Sequence, residues 1–96
     1  MVDIDIYHGY REGCETFDLW VNTSKIMTAY WDHDKWWVQV LTNPVTPWFV
    51  QCNPKTSSEV QALIHKLLPF ILKSRDQPTL DLSNDIDYLA ILEQYS

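Results

Sequence analysis

The sequence is poor in glycine, and this scarcity excludes several kinds of catalytic site. Gly9 and Gly13 are the two glycines of the chain, so no segment has the run of glycines with which a phosphate-binding loop approaches a nucleotide. The motifs GxGxxG, GxSxG, HExxH and CxxC are also missing. We therefore expect a protein without catalytic residues and without a cofactor.

Basic residues are scarce as well. Seven lysines and arginines stand against thirteen acidic residues, which gives a formal net charge of −6. That charge repels phosphate backbones and anionic membrane surfaces at long range, so we expect neither nucleic acid nor a membrane as the partner. The acidic residues after Arg75 have no basic residue among them and are typical of a solvated helix face; they are Asp76, Asp81, Asp85, Asp87 and Glu93.

Long apolar segments and paired cysteines are absent too. Nowhere do eighteen apolar residues follow one another, and the first residues lack the basic and apolar regions of a secretory signal. We therefore expect a cytoplasmic protein. Cys14 and Cys52 lack the CxxC spacing, so in a reducing compartment we expect two free thiols.

Aromatic residues, in contrast, are abundant, and the apolar pattern changes once along the chain. Thirteen of the 96 residues are aromatic and five of these are tryptophan. Apolar residues alternate up to Cys52 and recur at spacings of three and four after Thr56. We expect a single domain over 1–96 with an α+β fold, in which a five-stranded antiparallel meander within 1–54 precedes two C-terminal helices within 55–96, packed on one face of the sheet. The predicted strands are 2–8, 16–22, 25–31, 36–41 and 48–52.

Pairing these strands as a meander gives one apolar face without a charge. The loops 22–24, 32–35 and 42–47 set the register. The predicted cross-strand pairs are Phe17 with Ala29, Leu19 with Met27, Met27 with Val40, Ala29 with Val38, Trp31 with Trp36, Trp48 with Val40 and Val50 with Val38, and Val2, Ile4 and Ile6 complete the face.

The first helix has a clear start in the sequence. Thr56 and Glu59 form a capping box, in which the threonine hydroxyl accepts from the backbone of Glu59 and the carboxylate returns to the cap. Pro69 removes one backbone donor, so we expect a kink or an early end there. The stripe predicted to pack on the sheet consists of Val60, Leu63, Ile64, Leu67 and Ile71.

The second helix is predicted to begin near Ser83 or Asn84. Asp85 and Asp87 then lie in its first turn, where carboxylates favour the positive end of the helix dipole. Its predicted contacts are Ile86, Leu89 and Ala90, with Tyr88, Leu92 and Tyr95 as further candidates.

The second face of the sheet is the main candidate for function. We name it the aromatic face; the register assigns to it Asp3, Asp5, Tyr7, Asp18, Trp20, Ile26, Thr28, Tyr30, Trp37, Gln39, Leu41, Phe49 and Gln51. Exposed aromatic patches mark contact surfaces, and Trp and Tyr are frequent hot-spot residues. The predicted partner-binding residues are Tyr7, Trp20, Tyr30, Trp37 and Phe49, with Tyr30 opposite Trp37, Trp20 opposite Ile26 and Phe49 opposite Gln39. The alternative is that the second helix or a long loop 8–15 covers this face and makes it a second core.

Other chemistry finds little support in the sequence. The run Asp32, His33 and Asp34 has metal-ligating side chains, but adjacent residues of a tight turn rarely converge on one ion, and we expect no metal site. Cys14 has acidic neighbours that disfavour the thiolate. Asp3 and Asp5 lie on a predicted edge strand, where charges prevent edge-to-edge aggregation.

These observations predict a small acidic protein–protein interaction module, or a regulatory inhibitor or adaptor, that uses the aromatic face. The expected partner is a protein or a second copy of the chain in a homodimer. One alternative is an acidic nucleic-acid mimic that binds a nucleic-acid-binding protein through the acidic tail and Asp3, Asp5 and Asp18. The other is a small enzyme of an unfamiliar type, which needs a pocket that joins His8 or His65 to a carboxylate.

Overall fold

The computed structural model describes residues 3–41, 48–77 and 82–96. Its α+β fold is an open antiparallel sheet followed by two C-terminal helices, as predicted. The strands are adjacent in chain order. The elements are β1 (Ile4–Arg11), β2 (Cys14–Val21), β3 (Ser24–Asp32), β4 (Lys35–Val40), a two-residue β5 (Trp48–Phe49), α1 (Ser57–Asp76), a 3-10 turn (Leu82–Asn84) and α2 (Ile86–Gln94).

The sheet has four full strands, so the prediction of five was wrong. Only two residues of the predicted strand 48–52 pair with β4. The N–H of Val50 still donates to the carbonyl of Val38 at 2.8 Å, but the N–H of Asn53 donates to Tyr95 at 2.6 Å. The chain therefore leaves the sheet because its next backbone partner is at the end of α2. The predicted loop 42–47 and Val2 lie outside the described residues.

Two-residue turns join the four strands. Glu12 and Gly13 have φ values of +53° and +83°, and His33 and Asp34 have +54° and +60°. Left-handed backbone at both central positions is typical of the tight hairpin whose twist matches that of the strands. The predicted long loop 8–15 was therefore wrong, because β1 continues to Arg11 and β2 begins at Cys14.

The predicted register is confirmed over most of the sheet, with one correction. Trp20 lies opposite Lys25 and not opposite Ile26, because the register shifts between Leu19 and Trp20. A bulge places two residues of β3 across from one residue of β2. Confirmed pairs are Phe17 with Ala29, Leu19 with Met27, Met27 with Val40, Ala29 with Val38, Trp31 with Trp36, Tyr30 with Trp37, Phe49 with Gln39 and Trp48 with Val40.

The core lies between α1 and the apolar face of the sheet. All five residues of the predicted α1 stripe are buried, and they form one cluster with the inward residues of β2, β3 and β4. Ile6 is half-buried at the margin of this cluster, and Ile4 is 41% exposed. The prediction that Ile4 completes the core was wrong, because it lies near the end of the edge strand.

The start of α1 is as predicted, but its end is not. The Thr56 hydroxyl accepts from the backbone N–H of Glu59 at 3.1 Å, and the Glu59 carboxylate accepts from the backbone N–H of Lys55 at 2.6 Å. The helix continues through Pro69 to Asp76, so the predicted early end was wrong. Buried residues on both sides of Pro69 hold the helix against the sheet, which offsets the loss of one backbone donor.

The second helix begins later than predicted, and it packs through the further candidates Tyr88, Leu92 and Tyr95 and not through Ile86, Leu89 and Ala90. Its cap is Asp85, whose carboxylate accepts from the N–H of Tyr88 at 3.0 Å. Tyr88 is buried, whereas Ile86 is 82% and Leu89 44% exposed, and Ala90 is also exposed. The packing contacts come from Tyr88 with the half-buried Ile91, Leu92 and Tyr95.

The helices lie side by side. The rings of Phe70 and Tyr88 meet edge to face with centroids 5.7 Å apart, and Lys66 donates to the Gln94 side chain at 3.0 Å. Among the described residues, no helix has both the length and the apolar character needed to cross a lipid bilayer.

Candidate aromatic interface

The register places all five predicted partner-binding residues on the aromatic face. One row of this face runs across the sheet from Tyr7 through Asp18 and Thr28 to Gln39 and Phe49. Tyr30 and Trp37 form the adjacent row towards the His33 turn, and Trp20 lies on the other side. Side chains two residues apart on a strand share a face. β2 and β3, with eight and nine residues, are therefore long enough to carry several side chains of the aromatic face each.

The two predicted covers of this face take other positions. α2 contacts α1 and Asn53, so it packs on the core side of the sheet. The predicted loop 8–15 is a hairpin turn. Tyr7 is 58% exposed and Phe49 47%, while Trp20, Tyr30 and Trp37 are half-buried.

Three contacts hold the ring of Trp37. Its indole N–H donates to the backbone carbonyl of Asp32 at 3.1 Å. The ammonium of Lys35 lies 4.5 Å from the centre of its ring, and the Phe49 ring meets it edge to face at 5.9 Å. A hydrogen bond, a cation–π contact and an aromatic contact therefore hold one ring in place.

A cleft of about 400 Å³ adjoins this ring. It opens beside the first residues of β4, between that strand and the segment that follows β5. Its lining includes Lys35, Trp37, Phe49, Cys52, Asn53 and Ser96. The volume is within the range of small ligand sites, and the wall is aromatic with polar groups at the rim.

A polar cluster divides the aromatic face. The Thr28 hydroxyl donates to the Asp18 carboxylate at 2.6 Å, and the Arg11 guanidinium donates to Asp18 at 3.1 Å and to Thr28 at 3.2 Å. Thr28 is buried, which the alternating pattern did not predict for this face. The polar cluster therefore divides the aromatic residues into two groups. Trp37, Phe49 and Tyr30 lie on one side of it, and Tyr7 and Trp20 lie on the other.

A second cleft of about 310 Å³ lies at the end of the aromatic face nearest the hairpin turns. Arg11, Cys14, Tyr30 and Asp32 contribute to its wall. It holds both signs of charge and extends the surface beside Tyr30.

Burial changes the titration of two groups near the larger cleft. Desolvation raises the pKa of the Cys52 thiol to about 11, although the charge of Lys35 acts in the opposite direction. Burial also raises the pKa of the Tyr88 hydroxyl, and the nearby Cys52 acts in the same sense. Both groups stay protonated near neutral pH, so Cys52 lacks the thiolate that a nucleophile needs. Cys14 and Cys52 are free thiols, as predicted.

Sequence reasoning missed a second aromatic group, on the core side of the sheet. The His8 ring stacks on Phe17 with centroids 4.3 Å apart, and its Nε2 lies 2.6 Å from a Glu15 carboxylate oxygen. Phe17 in turn contacts Trp36 at 5.7 Å. The signal for this group is the cross-strand pairing of His8 with Phe17. The prediction missed it because it ended the first strand at His8 and placed a long loop after that residue.

Asp32, His33 and Asp34 carry metal-ligating side chains, but only two of these side chains meet. The His33 ring lies 2.9 Å from the Asp32 carboxylate, but within 3–41, 48–77 and 82–96 no three His, Cys, Asp or Glu side chains are close enough to hold an ion.

No protein-family model, no curated protein and no solved structure matches this chain. Its function is therefore inferred from the geometry of the chain itself.

Proposed function

We propose that this protein is a binding module whose aromatic face takes up an extended, apolar segment of a protein partner at the Trp37 and Phe49 corner. The observation that carries the proposal is the fixed Trp37 ring beside a cleft of about 400 Å³. A ring that is already ordered loses little conformational entropy on binding, so more of its contact energy contributes to affinity.

The backbone of β4 supports a strand-like partner. Val38 accepts from Val50, so its backbone groups point to the outer edge of the sheet. Alternate residues of an antiparallel strand point the same way, so Trp36 also directs its N–H and C=O outwards, where the cleft begins. Because Val50 already occupies the Val38 carbonyl, an extended peptide in the cleft gains its main-chain hydrogen bonds at Trp36, and Trp37 and Phe49 offer contacts to its apolar side chains.

The charge of the chain favours a partner with basic residues beside its apolar ones. The net charge of −6 acts at long range; Asp3 and Asp5 lie at the far, β1 edge of the aromatic face, and Lys35 lines the cleft itself. Opposite charge speeds encounter and selects between partners. The alternative of a nucleic-acid mimic needs a continuous acidic array, whereas the acidic groups of the described residues are distributed over strands, turns and both helices.

A peptide selection tests the proposal without a known partner. Ligands are selected from a library of displayed random peptides on the intact protein, and their affinity is measured by fluorescence anisotropy. Trp37→Ala is expected to weaken binding at least about thirtyfold, the loss typical of an interface anchor worth about 2 kcal/mol. The matched control is Trp31→Ala, which removes an exposed tryptophan from the other face and should leave the affinity unchanged.

Two results contradict the proposal. One is a selection that yields no peptide above background. The other is an equal loss of affinity in the two variants, which places the binding surface elsewhere or shows that any tryptophan loss damages the fold. Selected sequences with apolar residues flanked by Lys or Arg support the partner chemistry.

A further inference from the structure

The outer edge of β1 has the features of a pairing surface. β1 is the first strand in the order of the sheet, so among the described strands none lies beyond it. Three of its large apolar side chains are exposed, with Ile4 at 41%, Tyr7 at 58% and Tyr10 at 72%. A long exposed edge is a template on which another chain adds a strand.

The direction of the β1 backbone defines which residues such a chain meets. The carbonyl of Asp3 accepts from the N–H of Asn22 at 2.7 Å, so Asp3 directs its backbone groups to β2. The other odd-numbered residues of an antiparallel strand do the same. The residues that direct N–H and C=O to the open edge are Ile4, Ile6, His8 and Tyr10.

Charge along β1 is arranged so that the strand complements itself. Asp3 and Asp5 lie at its start and Arg11 at its end, all on the aromatic face. The Arg11 side chain keeps 49% of its surface exposed although it contacts Asp18. A second β1 in antiparallel orientation brings its acidic end to Arg11, whereas parallel stacking places acid beside acid.

We propose that two copies of the chain pair antiparallel along β1, with Tyr7 at the two-fold axis, and join their sheets into one. In this register Tyr7 lies opposite the partner's Tyr7, Asp5 opposite the partner's Gly9 and Asp3 opposite the partner's Arg11. All four outward-directed residues then find partners, which gives about eight backbone hydrogen bonds. The two aromatic faces become continuous.

Gly9 has a specific place in this dimer. A Cβ atom added at Gly9 meets nothing within 4 Å, so the surface above it is open. The partner's Asp5 enters this space and lies diagonal to Arg11, at a separation that long side chains bridge. The guanidinium is then flanked by two carboxylates of the second copy as well as by Asp18.

The same pattern explains why pairing stops at two copies. A two-fold dimer uses the β1 edge of both chains, so it is closed. The opposite edge of the sheet is formed by β5, which is only two residues long. The sequence predicts that Asp3 and Asp5 prevent edge-to-edge aggregation; in this proposal they oppose parallel stacking alone, and they thereby select the antiparallel pair.

Sedimentation velocity on the intact protein tests the dimer. The unaltered chain is expected to sediment as a dimer at high micromolar concentration. His8→Pro removes an outward N–H without removing a bond to β2, and we expect a monomer with an intact fold by circular dichroism. His8→Ala is the matched control, because it removes the side chain but keeps the N–H, and we expect it to remain a dimer.

Disulfide trapping tests the register and does not depend on the proline variant. Under mild oxidation, Tyr7→Cys is expected to form a covalent dimer linked through position 7, because opposed residues at a two-fold axis are close enough for a disulfide. His8→Cys, one residue away, should not cross-link through position 8. Two results overturn the proposal. One is that the unaltered chain sediments as a monomer. The other is that folded His8→Pro remains a dimer and Tyr7→Cys does not cross-link through position 7. Peptide binding at Trp37 is measured separately, so failure of either proposal leaves the other open to test.

Discussion

Trp36 and Trp37 follow one another on β4, yet their side chains lie on opposite faces of the sheet. Trp36 is 3% exposed and packs against Phe17 and Trp31 with ring centroids 5.7 Å apart in both contacts. Trp37 is half-buried and contacts Lys35 and Phe49 at the rim of the cleft. One pair of adjacent residues therefore separates the core from the candidate interface.

This relationship predicts different costs for the two tryptophans. Trp36→Ala should lower the free energy of unfolding by roughly 3–5 kcal/mol, because it leaves a cavity in the core. Trp37→Ala should lower it by less, roughly 1–2 kcal/mol, because its ring lies outside the core and part of its surface stays in contact with water. Urea denaturation of the two variants measures both values. Equal large losses would mean that the aromatic face is a second core and not a surface for a partner.

The polar cluster on the aromatic face gives a second prediction. Thr28→Val keeps the shape of a buried side chain but removes the hydroxyl that donates to Asp18. The free energy of unfolding should fall by about 1–2 kcal/mol, because the carboxylate loses a hydrogen bond that water replaces poorly. Thr28→Ser, which keeps the hydroxyl, is the control and should lose less. A valine variant as stable as the unaltered protein contradicts the structural importance of this bond.

Cys52 gives a prediction about pH. Its pKa is raised from 9.0 to about 11 in the folded protein, so the folded state holds the proton more tightly than the unfolded state. The stability associated with this group is therefore complete below pH 9 and is lost as the pH rises towards 11. At pH 9, Cys52 in the folded protein should react with iodoacetamide at least about tenfold more slowly than in urea. Mass spectrometry of position 52 measures both rates, and equal rates would show that the thiol is not desolvated.

Pro69 gives a fourth prediction. It is exposed within α1, and it cannot donate to the carbonyl of His65. Pro69→Ala should leave the stability unchanged or slightly raised: the roughly 3 kcal/mol that a proline inside a helix typically costs relative to alanine is an upper limit to the gain, because the helix already accommodates the ring at an exposed position. Gln61→Ala on the exposed face of the same helix is the control for helix propensity. A loss of roughly 2 kcal/mol or more in the proline variant would mean that the fold requires its local geometry.

Local chemistry in the sequence was sufficient for much of the fold. The cap at Thr56 follows from a hydroxyl and a carboxylate three residues apart, and its hydrogen bond involves only neighbours in the chain. The α1 stripe and the pairing of β2, β3 and β4 follow from periods of 3.6 and two, because a shift of one residue would turn a whole apolar set to the solvent. The same alternation predicts Tyr30 opposite Trp37, and that pair is confirmed.

What the sequence could not decide depends on contacts between residues far apart. The bulge at Leu19 and Trp20 shifts the partners of both Trp20 and Val21 by one residue, and the alternation of β2 gives no sign of it. The segment after Phe49 leaves the sheet because Tyr95, near the end of the chain, accepts its backbone hydrogen bond. The spacing of apolar residues along the chain determined the type of each element and which of its faces is apolar. The tertiary structure decided which of these faces meet, because each face is buried by an element from elsewhere in the chain.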